Sequence, residues 1–184
     1  MLYSLLSMVL DTVTGLFAGV LLLRFWMQVV RVRPPHQVAH FTFQLTDWLV
    51  KPLRRLIPGV AGFDWASLLG AYLIVLIAMT FKVWLITEAF TVSVFLLSLL
   101  AMLQWIIYGW TALLILEVIF SWVNPQAPLA PFVQALNAPL LNPIRRIVPL
   151  LGGLDLSPMV LFLLLQVASK SLAYFAASMG MALM

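Results

Sequence analysis

There is no cysteine anywhere in the 184 residues. That excludes disulfides, thiolate metal sites and haem attached through a Cys pair. Only two histidines occur, His36 and His40. They are spaced i, i+4, but no further histidine and no acidic neighbour completes a ligand set, so no metal site is expected. Charge is scarce as well: 9% of residues are charged against 64% hydrophobic, and the mean hydropathy is +1.11. A soluble domain of this size cannot bury so much apolar surface, because a small globule leaves much of its area wet. Lipid is therefore the solvent this composition calls for. A basic leader is also missing. The first apolar run opens at Leu2 with no Lys or Arg ahead of it and carries Asp11, so it reads as a retained anchor rather than a cleaved signal. The net charge of +4 lies almost wholly between the apolar runs, which ties it to orientation and lipid contact rather than to nucleic acid.

What is present is four long apolar runs. Leu2 to Val30 is the first, and Arg31-Val32-Arg33-Pro34-Pro35 ends it, since two prolines remove donors and disfavour helix before them. The second runs from Leu68 to about Ile86 behind Asp64-Trp65-Ala66-Ser67, and the fourth from Pro158 to about Leu183 behind Asp155-Leu156-Ser157. Asp64 and Asp155 are expected as helix caps, because a carboxylate beside a helix start satisfies free backbone N–H groups. The third run, Phe90 to Val123, is longer than a bilayer core requires, and its start around Thr91–Leu100 is expected as an interfacial piece.

Two stretches between these runs are amphipathic. From Gln37 to Ile57, polar residues recur at spacings of three and four (His40, Gln44, Asp47, Lys51, Arg54, Arg55), opposite Val38, Phe41, Leu45, Trp48, Leu49 and Leu56. From Phe132 to Ile147 the apolar set is Phe132, Val133, Leu136, Leu140, Ile144 and Ile147, with Gln134, Asn137, Arg145 and Arg146 polar. Both are expected to lie in the membrane interface. Pro52, Pro139 and Pro143 are expected to divide them, with Asn142 as a cap.

These stretches end in one sequence carried twice. Pro52, Arg54, Arg55, Pro58, Gly62 and Asp64 recur, each 91 residues on, as Pro143, Arg145, Arg146, Pro149, Gly153 and Asp155. Such order and spacing point to an internal duplication. The expected architecture is an all-α membrane protein with four transmembrane helices, in two parallel TM–amphipathic helix–TM repeats at 1–88 and 89–184, forming one integrated membrane domain. The two copies share an orientation, so their pseudo-two-fold axis should run along the membrane normal. Seven of the ten Lys and Arg lie in the repeated loops (Arg31, Arg33, Lys51, Arg54, Arg55, Arg145 and Arg146). The positive-inside rule then puts those loops in the cytoplasm and both termini outside.

The candidate site residues follow from charge in an apolar setting. Arg54, Arg55, Arg145, Arg146 and Lys51 suit anionic lipid headgroups or a partner, since guanidinium groups hold phosphate oxygens in pairs. Arg24 and Glu117 stand at similar distances from the basic ends of the first and third runs. Lone charges in lipid are costly, so an Arg24–Glu117 ion pair across the repeats is expected. Asp11 is close in depth to Lys82 and Lys170, and one of the two is expected to pair with it. Trp26, Trp65, Trp84 and Trp122 fall near run boundaries, as an aromatic belt does. No nucleophile constellation accompanies the carboxylates, so neither an enzyme nor a cofactor is expected.

The doubled P-[LI]-R-R-[LI]-[IV]-P…G-x-D motif between paired apolar runs resembles the YGGT family of small bacterial and plastid membrane proteins, over almost the whole chain. Ala66-Ser67 departs from the form at Ser157-Pro158, which is nearer the family pattern. The resemblance implies a multi-pass protein of the bacterial inner membrane, with links to osmotic stress tolerance and membrane protein biogenesis. The function expected is a non-enzymatic accessory or assembly factor acting through basic cytoplasmic hairpins, with anionic lipids and a membrane protein as partners. The alternative is an oligomeric ion or small-solute conduit.

Overall fold

The structure, a computed structural model, describes residues 2–57, 59, 62–87, 92–148 and 155–182. The later part of the repeated stretch (58, 60–61 and 149–154) and Glu88 lie outside these residues. Among the described residues six helices follow one another: α1 (Leu2–Val29), α2 (His36–Leu56), α3 (Trp65–Thr87), α4 (Ser93–Val123), α5 (Ala130–Ile147) and α6 (Ser157–Ala182). Four of them are long and apolar enough to cross a membrane, over Ser4–Val29, Trp65–Ile86, Ser93–Val123 and Ser157–Met179, as a multi-pass membrane protein requires.

Local chemistry sets the ends. α1 closes where the Val32 N–H donates to the Met27 carbonyl at 3.0 Å and Arg31 turns left-handed at φ 57°, ahead of the two prolines. This is a Schellman closure with arginine where glycine usually sits. α3 starts on Asp64, whose side chain accepts from the Ser67 hydroxyl at 2.6 Å, and α6 starts on Asp155, which accepts the Ser157 N–H at 2.9 Å. Gly62 is at φ +81°, a conformation that glycine adopts without a Cβ clash, and its carbonyl accepts from Gln28 Nε2 at 2.9 Å.

Two expectations about helix breaks fail. α2 runs unbroken through Pro52, and α5 through Pro139 and Pro143. Each proline removes one helical donor, freeing the carbonyl four residues earlier. Both helices are nevertheless held along their length, by the buried residues Thr42, Thr46 and Val50 in α2 and Val133, Asn137 and Leu141 in α5. The interfacial start expected for the third run is absent among the described residues, because α4 is one helix of 31 residues, about 46 Å long.

α2 lies against α1 and α3, and α5 against α4 and α6, while α1 and α3 both meet α4. The three buried positions of α2 and three of the six in α5 (Val133, Asn137 and Leu141) are 91 residues apart in turn. Among the described residues the packing is nonetheless lopsided. α3 packs on α4, yet α6 packs on α4 and α5 without a comparable contact to α1. α3 and α4 are consecutive in the chain, whereas α6 and α1 are not. Apolar clusters sit at these joints: Leu21, Val50 and Ala71 in the first half, Leu114, Leu141 and Leu161 in the second, and Met27, Phe132 and Leu136 between α1 and α5. An apolar cavity of about 400 Å³, lined in part by Trp26, Trp105 and Trp110, lies between α1, α3 and α4.

Candidate functional site

Most of the charged residues gather at one end of the bundle, where α1 and α4 stop and α3 and α6 begin. In the first half Arg24 is buried, with 6% of its side chain exposed. Its Nη1 donates to Thr46 Oγ1 at 2.6 Å and to Asp47 Oδ1 at 2.8 Å. Thr46 passes the interaction on, donating to the Thr42 carbonyl at 2.6 Å. The guanidinium also lies 4.8 Å from the centre of the Phe43 ring, a cation–π distance. Arg24 Nε stands 3.6 Å from Asp64 Oδ2 and makes no hydrogen bond.

Asp64 is the hub of this network. Arg54 approaches it with two nitrogens, Nε to Oδ1 at 3.2 Å and Nη2 to Oδ2 at 2.5 Å. Burial opposes ionisation of this carboxyl, but hydrogen bonds from Arg54 and Ser67 outweigh it and hold its pKa below the ordinary 3.8. Asp47 behaves alike: burial raises its pKa, and contacts with Lys51 and Arg24 bring it below the usual value. Lys51 reaches Asp47 at 2.9 Å from the next turn of α2.

The second half repeats the clamp with a different buried charge. Arg145 Nε donates to Asp155 Oδ2 at 2.8 Å and Arg145 Nη2 to Glu117 Oε1 at 3.1 Å. Asn137, fully buried, donates to Glu117 Oε2 at 2.8 Å and to the Leu113 carbonyl at 2.9 Å. Burial works against the Asp155 carboxylate, yet its bonds with Ser157 and Arg145 lower its pKa. In each half an arginine on the short helix grips an aspartate ten residues further along.

Arg24 and Glu117 therefore do not pair with each other. Each finds its partners on the short helix of its own half, because α2 and α5 lie directly over the ends of α1 and α4. Asp64 and Asp155 cap as expected and also hold the arginines. Asp11 pairs with Lys82 at 2.5 Å; Lys170 is exposed on α6. Arg55 and Arg146 are exposed and have no carboxylate partner among the described residues. The rings of His36 and His40 stack 6.4 Å apart. Trp26 does more than mark a boundary, since its indole donates to the Leu136 carbonyl at 2.9 Å and so ties α1 to α5.

Thr42, Thr46 and Asn137 have central places in these networks that the polar-stripe reading missed. It placed Asn137 on the polar face, whereas the structure buries it. The signal was in the sequence: Thr42-Thr46-Val50 and Val133-Asn137-Leu141 are both i, i+4, i+8 ridges, 91 residues apart. Phe41, Trp48 and Leu56, by contrast, are exposed, and the Trp48 ring meets Phe17 of α1 edge-on at 6.3 Å.

Comparison with known proteins places this arrangement in a family. The chain belongs to the CCB3/YggT family, whose model matches residues 3–86 and 92–176. It is 38% identical over 173 residues to the uncharacterized protein YggT of Escherichia coli strain K12, covering 91% of this chain and 89% of that protein. It is 32% identical over 170 residues to an uncharacterized protein encoded in the proC 3′ region of Vibrio alginolyticus, covering 89% and 91%. A Haemophilus influenzae relative is 35% identical over 161 residues, covering 86% of each chain. No solved structure matches the chain.

Proposed function

We propose that this CCB3/YggT family member is a non-enzymatic accessory or assembly factor of the bacterial inner membrane. It presents two rigid basic platforms, α2 and α5, to anionic headgroups and to a membrane protein partner. The single observation that carries this reading is the paired clamp, Arg54 on Asp64 and Arg145 on Asp155. Each fixes a short helix to the start of a spanning helix, and the adjacent Arg55 and Arg146 stay exposed beside it. The four carboxylates at this end, Asp47, Asp64, Glu117 and Asp155, all serve as partners of arginines. Their chemistry is spent on architecture, which favours a scaffold over a catalyst.

The same reading makes the chain a duplication of one TM–amphipathic helix–TM unit. Three features support it: the family model matches both halves, the clamps have equal spacing, and the buried ridges of α2 and α5 are offset by 91 residues. The platforms lie on the cytoplasmic leaflet, where anionic lipid attracts basic residues with about 1 kcal/mol each, and both termini lie outside. A role in osmotic stress tolerance or membrane protein biogenesis fits a fixed basic platform of this kind.

The test is purification in native lipid with identification of bound lipid and protein. The parent should retain anionic lipid and a defined protein partner, and Arg55→Gln with Arg146→Gln should lose the partner and carry less anionic lipid while melting at the same temperature. Solute release from protein-containing vesicles, at rates set by the amount of protein, would instead establish a conduit. Orientation is read separately. With no native cysteine, a single cysteine at Ser4 should label from outside and one at Gln134 from inside.

A further inference from the structure

A cavity of about 560 Å³ opens beside the end of α1, and five cations line it: Arg24, Arg31, Arg33, Lys51 and Arg54. That volume falls within the roughly 300–1,000 Å³ of small-molecule sites. Only Asp47 among its lining residues is acidic. Counting Asp64 as well, because it holds Arg24 and Arg54, five positive charges face two negative ones and three remain uncompensated. Two further observations concern the arginines that line the cavity. Arg24 is buried, and its Nε faces Asp64 at 3.6 Å without a hydrogen bond. Arg31 holds the left-handed conformation at φ 57°, where a non-glycine residue is strained and glycine is the usual occupant. Arg31 is one of the residues that line the cavity.

The geometry points to a single binding site for a phosphate-bearing anion in the first half of the chain. Its chemistry is that of a phosphate monoester or diester, with guanidinium groups donating in pairs to its oxygens. The second half lacks the two matching arginines. The positions 91 residues beyond Arg31 and Arg33 are Trp122 and Asn124, so one anion per chain is expected. This site is separate from the exposed Arg55 and Arg146, and it goes beyond the platform reading rather than resting on it. The phosphate could come from a lipid headgroup or from a soluble phosphate ester, and the two sources are separable.

The experiment is native mass spectrometry of the detergent-purified chain at low salt, titrated with short-chain phosphatidylglycerol and, separately, with glycerol phosphate. One saturable lipid per chain is expected. Arg31→Gln with Arg33→Gln should weaken it about thirtyfold, the contribution of two basic groups. Arg55→Gln with Arg146→Gln should leave it within about twofold, since neither lines the cavity. Full displacement of lipid by glycerol phosphate identifies a soluble ligand, and no displacement identifies a lipid; either result supports the site. Arg31→Gly supplies a second arm that does not depend on a fragile fold. It should raise the melting temperature by relieving the left-handed arginine, and weaken binding at the same time. Equal losses in the two double variants, non-saturable binding, or an Arg31→Gly chain that binds like the parent would each overturn the site. Loss confined to the Arg55/Arg146 variant would overturn it and leave the platform reading standing.

Discussion

Arg54 meets Asp64 through two nitrogens, and the two partners live in different surroundings: the carboxylate is 2% exposed and the guanidinium 48%. A half-wet arginine thus reaches onto a dry acid. That same acid accepts the Ser67 hydroxyl at the start of α3 and faces the buried Arg24 at 3.6 Å. One side chain joins the short helix, the following spanning helix and the end of α1. Asp155 plays the matching part in the second half, but it is 33% exposed and Arg145 divides itself between Asp155 and Glu117.

Burial sets the cost of losing each acid. Asp64→Asn should destabilise the chain by about 2–4 kcal/mol, because it leaves Arg24 and Arg54 short of a counter-charge in a desolvated place. Asp155→Asn should cost about 1 kcal/mol or less, since water screens the exposed pair. Thermal unfolding in one detergent reads both. Equal losses would mean that burial does not govern the clamps.

The same acids make stability depend on pH in a definite direction. Asp47, Asp64 and Asp155 all have folded-state pKa values below the ordinary 3.8. Their contribution is complete above the unfolded value. It is lost as pH falls through about 4 and on through the lower folded values, because the unfolded chain takes up protons first. Melting temperature should therefore be flat from neutral pH to about 5 and decline below it. The decline should be shallower in a chain carrying both Asp64→Asn and Asp155→Asn. A decline of unchanged steepness there would assign the acid sensitivity to other groups.

How much of this was legible in the sequence depends on the range of the interaction involved. The four spans and the doubled motif could be read directly, because hydropathy and local punctuation act over a few residues. The capping by Asp64 and Asp155 was legible for the same reason. The partners of Arg24 and Glu117 were not. Similar depth suggested that the two would meet, but α2 and α5 fold back over the helix ends and offer nearer groups, Asp47 in one half and Arg145 in the other. Polarity also misled at Asn137, since a buried carboxylate calls for a polar neighbour inside the bundle. The prolines misled in the opposite sense: a helix held by packing along its length tolerates a missing donor that would end an isolated one.

The local pairing gives a mutational signature. Arg24→Leu and Glu117→Leu should each destabilise, and the double variant should equal the sum of the two within about 0.5 kcal/mol, because they share no partner. Glu117→Leu and Arg145→Leu should couple instead, since removing both ends of one contact leaves less unpaired charge than removing one. Both cycles are measured by thermal unfolding. Strong coupling between Arg24 and Glu117 would restore a direct link between them.

The junction of α1 and α4 depends on the absence of a side chain at Gly15. A Cβ there would stand 2.1 Å from Cη2 of Trp105 and 2.5 Å from its Cζ3. In lipid, helices gain little from hydrophobicity when they associate and depend on close approach at small residues, so a ring resting on a bare backbone is a large share of this contact. Gly15→Ala would gain up to about 1 kcal/mol in helix propensity. The overlap with an indole in a packed joint should cost about 1–3 kcal/mol, so the balance is a loss. Gly19, one turn on, has nothing within 4 Å of the same position, and Gly19→Ala should hold or raise the melting temperature through propensity alone. Trp105→Phe should by itself lower stability by opening a void, yet combined with Gly15→Ala it should recover part of the loss, as the smaller ring makes room for the methyl group. If Gly15→Ala and Gly19→Ala behave alike, or if Trp105→Phe gives no rescue, the contact between Gly15 and Trp105 does not set the spacing of α1 and α4.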